Sequence, residues 1–120
     1  EATGGHTVPT TKQSGDNAEN EVAVFLQNNG HQILERNWKT KFCEIDIVSS
    51  KADTIYLTEV KFRKSSNQGG GIAAITPHKL RQMKFAAELY ATQVPFGSNL
   101  RLAAATVLAD YAIDEWLLID

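Results

Sequence analysis

The sequence predicts an α/β domain whose elements follow the order αβββαβ. Two stretches carry apolar residues at helical spacing, one near the start of the chain and one from about residue 76. Between them lie three segments with strand-like alternation and short connections. A nearly unbroken apolar run then covers residues 100–109, which is typical of a strand that is covered on both faces of its sheet.

The chain has 120 residues, enough for one domain with a sizeable core but too few for two. Residues 1–14 have almost no apolar side chains, so we predict a disordered tail followed by a single domain over 15–120. The first helix is expected from about Asp16 to about Asn29, with Val22 and Leu26 on its apolar face. Gly30 can then adopt the left-handed conformation that ends a helix.

Three strands are expected at about 31–38, 43–49 and 54–62, and their short turns favour an antiparallel meander. A polar loop with three consecutive glycines covers 65–71. Thr76 and Pro77 fit the N-cap and first residue of a second helix that extends to about Thr92. The apolar run at 100–109 predicts the fourth strand, and residues 116–119 can add a further strand at the edge.

The composition is that of a soluble globular protein, with 42% hydrophobic and 22% charged residues. No stretch approaches the roughly 18 apolar residues of a membrane span, and no basic-then-apolar leader opens the sequence. The single Cys43 excludes an internal disulfide and a zinc site made of cysteines. We therefore expect a cytoplasmic protein without a membrane partner.

The net charge of −2 hides an uneven distribution along the chain. Residues 31–101 contain eleven Lys and Arg against six Asp and Glu, a net charge of +5 for that segment. The acidic excess lies at the two ends. A locally basic middle is compatible with binding to a phosphate backbone, although charge asymmetry alone does not specify a nucleic-acid partner.

Two short segments carry the residues for chemistry: Glu44-Ile-Asp46 and Glu59-Val-Lys61. In strands, alternation with a period of two places the two charged residues of each segment on one face. The apolar residues next to them are expected to face the core: Ile45, Ile47, Val60 and Phe62. Clustered carboxylates repel one another, and a divalent metal ion relieves that repulsion. The pattern therefore indicates a site that cleaves phosphodiester bonds.

Several motifs in order resemble those of the YraN family of bacterial proteins, over about residues 15–119. They are Gly15 with Glu19, Asn37-Trp38-Lys39, Cys43-Glu44-Ile45-Asp46, Glu59-Val60-Lys61-Phe62-Arg63 and Ala74-Ile75-Thr76-Pro77-His78-Lys79. That family has the PD-(D/E)xK endonuclease-like fold and is similar to archaeal Holliday-junction resolvases. Ala18 and Cys43 stand where the family has glycines, which should affect backbone freedom more than chemistry.

The resemblance implies a restriction-endonuclease-like αβββαβ core, with a mixed central sheet flanked by helices. In such a site Asp46 and Glu59 would be the main ligands of Mg²⁺ or Mn²⁺, with Glu19 and Glu44 as further candidates. Lys61 would orient the attacking water or stabilise charge on the scissile phosphate. The catalytic candidates are thus Asp46, Glu59, Lys61 and Glu19. The structural alternative is a pair of solvated strand carboxylates, with Lys61 in a salt bridge to one of them.

The cations that flank these motifs in sequence are expected to form a positive rim that binds nucleic acid: Arg63, Lys64, Lys79, Arg81 and Lys84. The leading hypothesis is a Mg²⁺-dependent endonuclease that acts on DNA, with branched or structured DNA as its substrate. One alternative is a non-catalytic nucleic-acid-binding protein in a repair or uptake complex, and another is an RNA-cleaving toxin-type nuclease domain. Similarity to resolvases implies a homodimer by analogy.

Overall fold

The computed structural model describes residues 11–63 and 75–120, and their side chains from residue 15 onward. These residues form two helices and five strands: α1 (Thr11–Asn28), β1 (Gln32–Lys39), β2 (Glu44–Lys51), β3 (Thr54–Phe62), α2 (Pro77–Ala91), β4 (Asn99–Val107) and β5 (Ile113–Leu118). The predicted α/β class and the order αβββαβ are confirmed, with β5 as the additional edge strand. No helix in the described residues is long and apolar enough to span a membrane.

The five strands form one mixed sheet in the order β1-β2-β3-β4-β5. The first three strands are the expected antiparallel meander. β4 lies parallel to β3, from the pair Thr54↔Asn99 to the pair Phe62↔Val107, and β5 returns antiparallel to β4. A parallel pair needs a long crossover, and α2 lies within the connection between β3 and β4.

Each face of the sheet packs a separate apolar core. One core lies under α2 and includes Ile45, Val48, Leu57, Met83, Ala86, Tyr90 and Leu102. The other lies under α1 and includes Ala18, Val22, Ala23, Leu26, Ile47, Ala105 and Val107. All six residues from Leu102 to Val107 are buried, which agrees with the expectation of a strand covered on both faces.

The first helix begins earlier than predicted. It starts at Thr11 rather than around Asp16, so residues 11–14 belong to α1 and not to the tail. Lys12 and Gln13 are good helix formers, and a single Gly15 inside a helix costs only about 1 kcal/mol, which packing of the helix against the sheet can offset. Residues 1–10, the rest of the predicted tail, and the glycine loop at 65–71 lie outside the described residues.

The ends of both helices follow the predicted signals. Gly30 has a φ of 91°, and its N–H donates to the carbonyl of Gln27 while the N–H of His31 donates to Leu26. These two bonds form a Schellman motif at the end of α1. Thr76 caps α2, since its hydroxyl accepts a hydrogen bond from the N–H of Lys79 at 3.1 Å. This cap stabilises the first turn of α2, which contains Lys79.

Replacing Leu26 by Ala is expected to lower the free energy of unfolding by about 2–5 kcal/mol. Leu26 is fully buried between α1 and the sheet, so the truncated side chain leaves a cavity. Val24 lies on the exposed side of the same helix, with 49% of its surface accessible, and Val24→Ala should change stability by less than about 0.5 kcal/mol. Urea unfolding of both variants measures the difference. Equal midpoints would show that α1 does not pack as described.

Candidate active site

The site lies where β2 and β3 separate. Main-chain pairing of these strands runs from Lys51↔Thr54 to Ile47↔Thr58 and stops there. Beyond that point the N–H of Val60 donates to Oδ2 of Asp46 at 2.8 Å. The side chain of Asp46 therefore accepts the hydrogen bond in place of a main-chain carbonyl of β2. This bond holds the carboxyl group against β3, next to the residues that follow Thr58.

The backbone of β2 changes its alternation at Asp46. Ile45 packs in the core under α2, whereas Ile47 packs in the core under α1. The prediction that both isoleucines face the same core was therefore wrong. Strict period-two alternation requires continuous strand geometry, and β2 leaves its register with β3 at this residue. Val60 and Phe62 do share the core under α1, as expected.

Glu59 is the most buried acid of the site, with 6% of its surface accessible. Its Oε2 lies 3.4 Å from Nζ of Lys61, and its Oε1 lies 3.5 Å from Nζ of Lys79. Each carboxylate oxygen therefore has one ammonium partner. Lys61 comes from the same strand, as expected from alternation. Lys79 comes from the first turn of α2, so the structure places it inside the site and not on the outer rim.

Asp46 and Glu59 lie close enough for their carboxyl groups to share a hydrogen bond. Burial, and then the charge of Glu59, raise the pKa of Asp46 from 3.8 to about 8, although the N–H of Val60 acts in the opposite direction. Glu19 also contributes to this increase. Burial and repulsion between the two carboxyl groups disfavour the ionised form of Asp46, although two ammonium groups contact Glu59. The pair therefore retains a proton at neutral pH or binds a cation.

Lys79 carries a stabilised positive charge. Burial alone would lower the pKa of its ammonium group, but the charges of Glu59, Cys43 and Asp46 outweigh burial and raise it. The same Nζ lies 3.4 Å from the carbonyl oxygen of Glu44 and 3.8 Å from Sγ of Cys43. Lys79 thus ties α2 to the start of β2 as well as to Glu59.

A second group of acids is organised by Asn37, which the sequence analysis did not identify as a site residue. Its φ is 54°, in the left-handed region, where Asn is among the better tolerated residues. With its amide assigned from the hydrogen-bond network, the side-chain nitrogen donates to Glu44 at 2.9 Å and to the two oxygens of Glu19 at 3.2 and 3.3 Å. Arg36 lies 3.6 Å from Glu19 on the other side. Asn37 therefore links α1 to β2 beside Asp46.

Glu19 lies near the site, as predicted, but within this second group. Burial raises the pKa of its carboxyl group, while the charge of Arg36 opposes the increase. Glu44 is held by the same amide, and its side chain is half-buried. The structure therefore brings Glu19 and Glu44 to the edge of the Asp46 and Glu59 pair. Their roles as metal ligands stay predictions.

The remaining predicted cations are placed differently from one another. Arg81 and Lys84 are exposed on α2, and Lys64 lies outside the described residues. Arg63 is half-buried directly after β3, and its Nε has no hydrogen-bond partner within residues 11–63 and 75–120. A positive rim that includes Arg63, Arg81 and Lys84 is compatible with these positions, and its function stays a prediction.

The site provides some, but not all, of the oxygen ligands that a hard divalent cation needs. Within the described ranges, no group of three or more His, Cys, Asp or Glu side chains is arranged to hold a metal ion. Two carboxylates, Asp46 and Glu59, do converge in a setting that favours an added positive charge. Mg²⁺ is commonly bound by one or two carboxylates together with substrate phosphates and water. The pair therefore fits a cation whose remaining ligands come from substrate phosphates and water.

Other side chains near the site have structural roles. Trp38 packs edge-to-face on Tyr90, with ring centroids 5.1 Å apart, in the core under α2. The Cys43 side chain is largely buried, and burial raises the pKa of its thiol despite the charge of Lys79. A raised pKa disfavours the reactive thiolate form of this side chain.

Comparison with known protein families shows where this chain has relatives. The sequence profile of the "Uncharacterised protein family UPF0102" matches residues 18–109. A UPF0102 protein of Nitrosomonas eutropha is 32% identical over 108 residues, covering 90% of this chain and 92% of the relative. A UPF0102 protein of Syntrophomonas wolfei is 42% identical over 74 residues, covering 62% of this chain and 64% of the relative.

Comparison with solved structures supports the fold. The structure of an EndoMS–dsDNA2 complex is similar over 86% of this chain and 39% of that chain, with a TM-score of 0.50 and 19% identity. A repair endonuclease from Pyrococcus abyssi is similar over 87% of this chain and 41% of that chain, with a TM-score of 0.49 and 17% identity. The present chain thus spans about two fifths of each of these proteins. The likeness to the first confirms an endonuclease-like fold.

Proposed function

This chain belongs to the uncharacterised protein family UPF0102, the YraN family that its motifs resemble, and we propose that it is a metal-dependent nuclease acting on DNA. Branched or structured DNA is the proposed substrate class. The observation that carries the proposal is the convergence of Asp46 and Glu59 with Lys61 on an endonuclease-like fold. A buried carboxylate pair with an adjacent ammonium is costly to fold, and phosphodiester hydrolysis is a chemistry that uses it.

Asp46 and Glu59 would hold Mg²⁺ or Mn²⁺, which when bound would supply Lewis-acid polarisation of the scissile phosphate. The hydrogen bond from the N–H of Val60 keeps Asp46 oriented towards β3. Lys61 lies beside Glu59 with about a third of its side chain exposed, so its ammonium group can reach a phosphate oxygen or orient the attacking water. Lys79 stays against Glu59 and places a second positive charge beside that carboxyl group.

DNA is the proposed partner for two reasons. The segment from 31 to 101 has a net charge of +5, and Arg81 and Lys84 of α2 are exposed. The structural neighbour EndoMS is in a complex with dsDNA. Neither observation specifies strandedness or branching, which the cleavage experiment below addresses.

The experiment is a cleavage panel with single-stranded, duplex, flap and four-way DNA and with RNA of matched sequence. Each substrate is incubated with Mg²⁺, with Mn²⁺ and with a chelator. We expect cleavage of at least one DNA substrate that depends on the divalent cation. Cation-dependent cleavage of RNA alone would favour the RNA-cleaving alternative. Failure to cleave any substrate would contradict the nuclease proposal.

The second candidate function is a nucleic-acid-binding protein that does not cleave. The observation that favours it is the pairing of Glu59, because both of its carboxylate oxygens already contact an ammonium group. A carboxylate that is fully paired can serve as a purely structural charge. In that case the protein would bind DNA in the panel without cleaving it, and would act within a repair or uptake complex.

DNA binding is expected to weaken steeply as the salt concentration increases. Each neutralised phosphate of duplex DNA adds about 0.9 to the slope of log affinity against log salt concentration. Arg81→Gln should reduce this slope by about 1, because it removes one exposed cation of α2. Arg101→Gln is the control, since Arg101 is paired with Asp120 at 3.0 Å on β4. Fluorescence anisotropy over a salt series gives the slopes, and a flat series would contradict electrostatic binding.

A further inference from the structure

Two aromatic side chains form an exposed pair next to the site. Phe42, in the turn before β2, is 58% exposed, and Phe85 of α2 is 40% exposed. Their rings meet edge-to-face, with centroids 5.4 Å apart and an interplanar angle of 76°. Single exposed apolar residues are normal, but two aromatic rings in contact on the surface form a patch that can bind a ligand.

The pair forms one wall of an open cavity of about 350 Å³. The lining residues are Phe42, His78, Arg81, Gln82 and Phe85. The four from α2 follow the spacing of one helix face, and three of them are exposed, whereas Met83 and Ala86 beside them are buried. The side chain of Gln82 donates to the carbonyl oxygen of Phe42 at 2.8 Å, which fixes the turn against the helix. The cavity is therefore held between two connected segments.

The cavity adjoins the carboxylate site through Lys79. Cys43 and Glu44 directly follow Phe42, and both contact the ammonium group of Lys79. The same ammonium lies 3.5 Å from Glu59. His78 and Leu80 flank Lys79 on α2, and His78 lines the cavity. The cavity and the Glu59 contact are therefore connected through adjacent residues of α2 and of the turn before β2.

The chemistry of the lining favours a nucleobase. Aromatic faces and a guanidinium group stack on bases, and stacking accepts any base because each has a π face. Arg81 has no acidic partner among the ion pairs of the described residues, so its charge is available to a phosphate or a base. A symmetric contact with a second copy would bring two such cations to one interface, which disfavours self-association here.

We propose that this cavity binds an unpaired nucleobase of the DNA strand whose phosphate lies at Asp46, Glu59 and Lys61. This inference rests on the proposed nuclease function and specifies its substrate: DNA with an unpaired base next to the scissile phosphate, as in bulges and flaps. The volume of about 350 Å³ is at the lower end of the range for small-ligand pockets, about 300–1,000 Å³.

The test compares two duplexes of the same sequence, one fully paired and one with a single unpaired 2-aminopurine at its centre. Binding of the full chain is measured by anisotropy, and stacking by quenching of the 2-aminopurine fluorescence. We expect the wild type to prefer the bulged duplex by about tenfold, the effect of one stacked base. Phe85→Ala should lose both the preference and the quenching, and Phe85→Leu should lose the quenching although it keeps an apolar side chain. Phe96→Ala is the control, because Phe96 is fully exposed outside the cavity and should keep both.

Each outcome assigns the cavity differently. Equal affinity of the wild type for both duplexes, or a preference that Phe85→Ala retains, would overturn the base pocket, and cation-dependent cleavage would then still support the nuclease. A preference that depends on Phe85, without cleavage of either duplex, would support the pocket and contradict the nuclease. A wild-type dimer that Phe85→Ala converts to a monomer in sedimentation would assign the cavity to self-association and overturn the proposal.

Discussion

Asp46→Asn is expected to abolish cation-dependent cleavage while DNA affinity holds or rises. The substitution removes a carboxylate that would hold the cation, and with it a negative charge that repels phosphate. Asn retains an oxygen that can accept the hydrogen bond from Val60, so the geometry of β2 should be preserved. Cleavage rate per folded molecule and binding affinity are measured on the same DNA, with Mg²⁺ present and absent.

The same variant should also change how stability depends on pH. Folding raises the pKa of Asp46 from 3.8 to about 8, because of burial and the charge of Glu59. The ionised form is therefore disfavoured in the fold, and the free energy of unfolding falls as pH rises from about 4 towards 8. One pKa unit corresponds to about 1.4 kcal/mol, so the wild type should lose more than about 2 kcal/mol relative to Asp46→Asn between pH 5 and pH 8.

Asp53→Asn is the matched control for both measurements. Asp53 is an exposed carboxylate in the turn between β2 and β3, where the same substitution removes the same charge. It should keep cleavage and the pH dependence of the wild type. Cleavage that persists in Asp46→Asn would show that Asp46 is not required for cation binding. An unchanged pH profile, measured in chelator, would show that Asp46 is not where the buried pair takes up its proton.

The strand pattern of the sequence predicted one contact of the candidate site. Alternation with a period of two predicted that Glu59 and Lys61 share a face, and their 3.4 Å separation agrees with it. The apolar run at 100–109 likewise predicted a strand that is buried on both faces. These features depend on residues that are near one another in sequence or on the burial of a whole element, and both leave a clear pattern.

The features that sequence reasoning missed depend on contacts between distant elements. The change of alternation at Asp46 follows from its hydrogen bond with Val60, fourteen positions along the chain. The place of Lys79 inside the site depends on where the crossover returns α2 to the sheet, which no local pattern specifies. Asn37 required a positive φ to aim its amide at Glu19, and only the tolerance of Asn for that conformation could have indicated it.

Lys61→Met is expected to lower the cleavage rate by about 10²–10³, the usual effect of removing one group that stabilises charge in the transition state. Met keeps a side chain of similar length without the ammonium group. Lys61 is the more exposed of the two lysines on Glu59, with 35% of its side chain accessible against 23% for Lys79. Its removal should therefore have little effect on stability, and single-turnover cleavage separates the chemical step from binding.

Lys79→Met, unlike Lys61→Met, is expected to act mainly on the stability of the fold. Lys79 contacts Glu59, Cys43 and the carbonyl oxygen of Glu44, so its loss leaves several buried polar groups without their partner. We expect the free energy of unfolding to fall by about 1–3 kcal/mol, measured by urea unfolding. Lys84→Met, at an exposed position of the same helix, is the control and should leave stability within about 0.5 kcal/mol of the wild type.

The two lysine variants together decide whether Lys61 serves catalysis or the stability of the fold. If Lys61 serves catalysis, its loss lowers the cleavage rate while the fold and DNA affinity are largely maintained. If both variants unfold, and any folded fraction cleaves DNA as fast as the wild type, the contacts of Glu59 with both ammonium groups form a structural charge network. The catalytic role proposed for Lys61 would then be abandoned, because cleavage at the wild-type rate without its ammonium group would show that the lysines serve folding and not the chemical step.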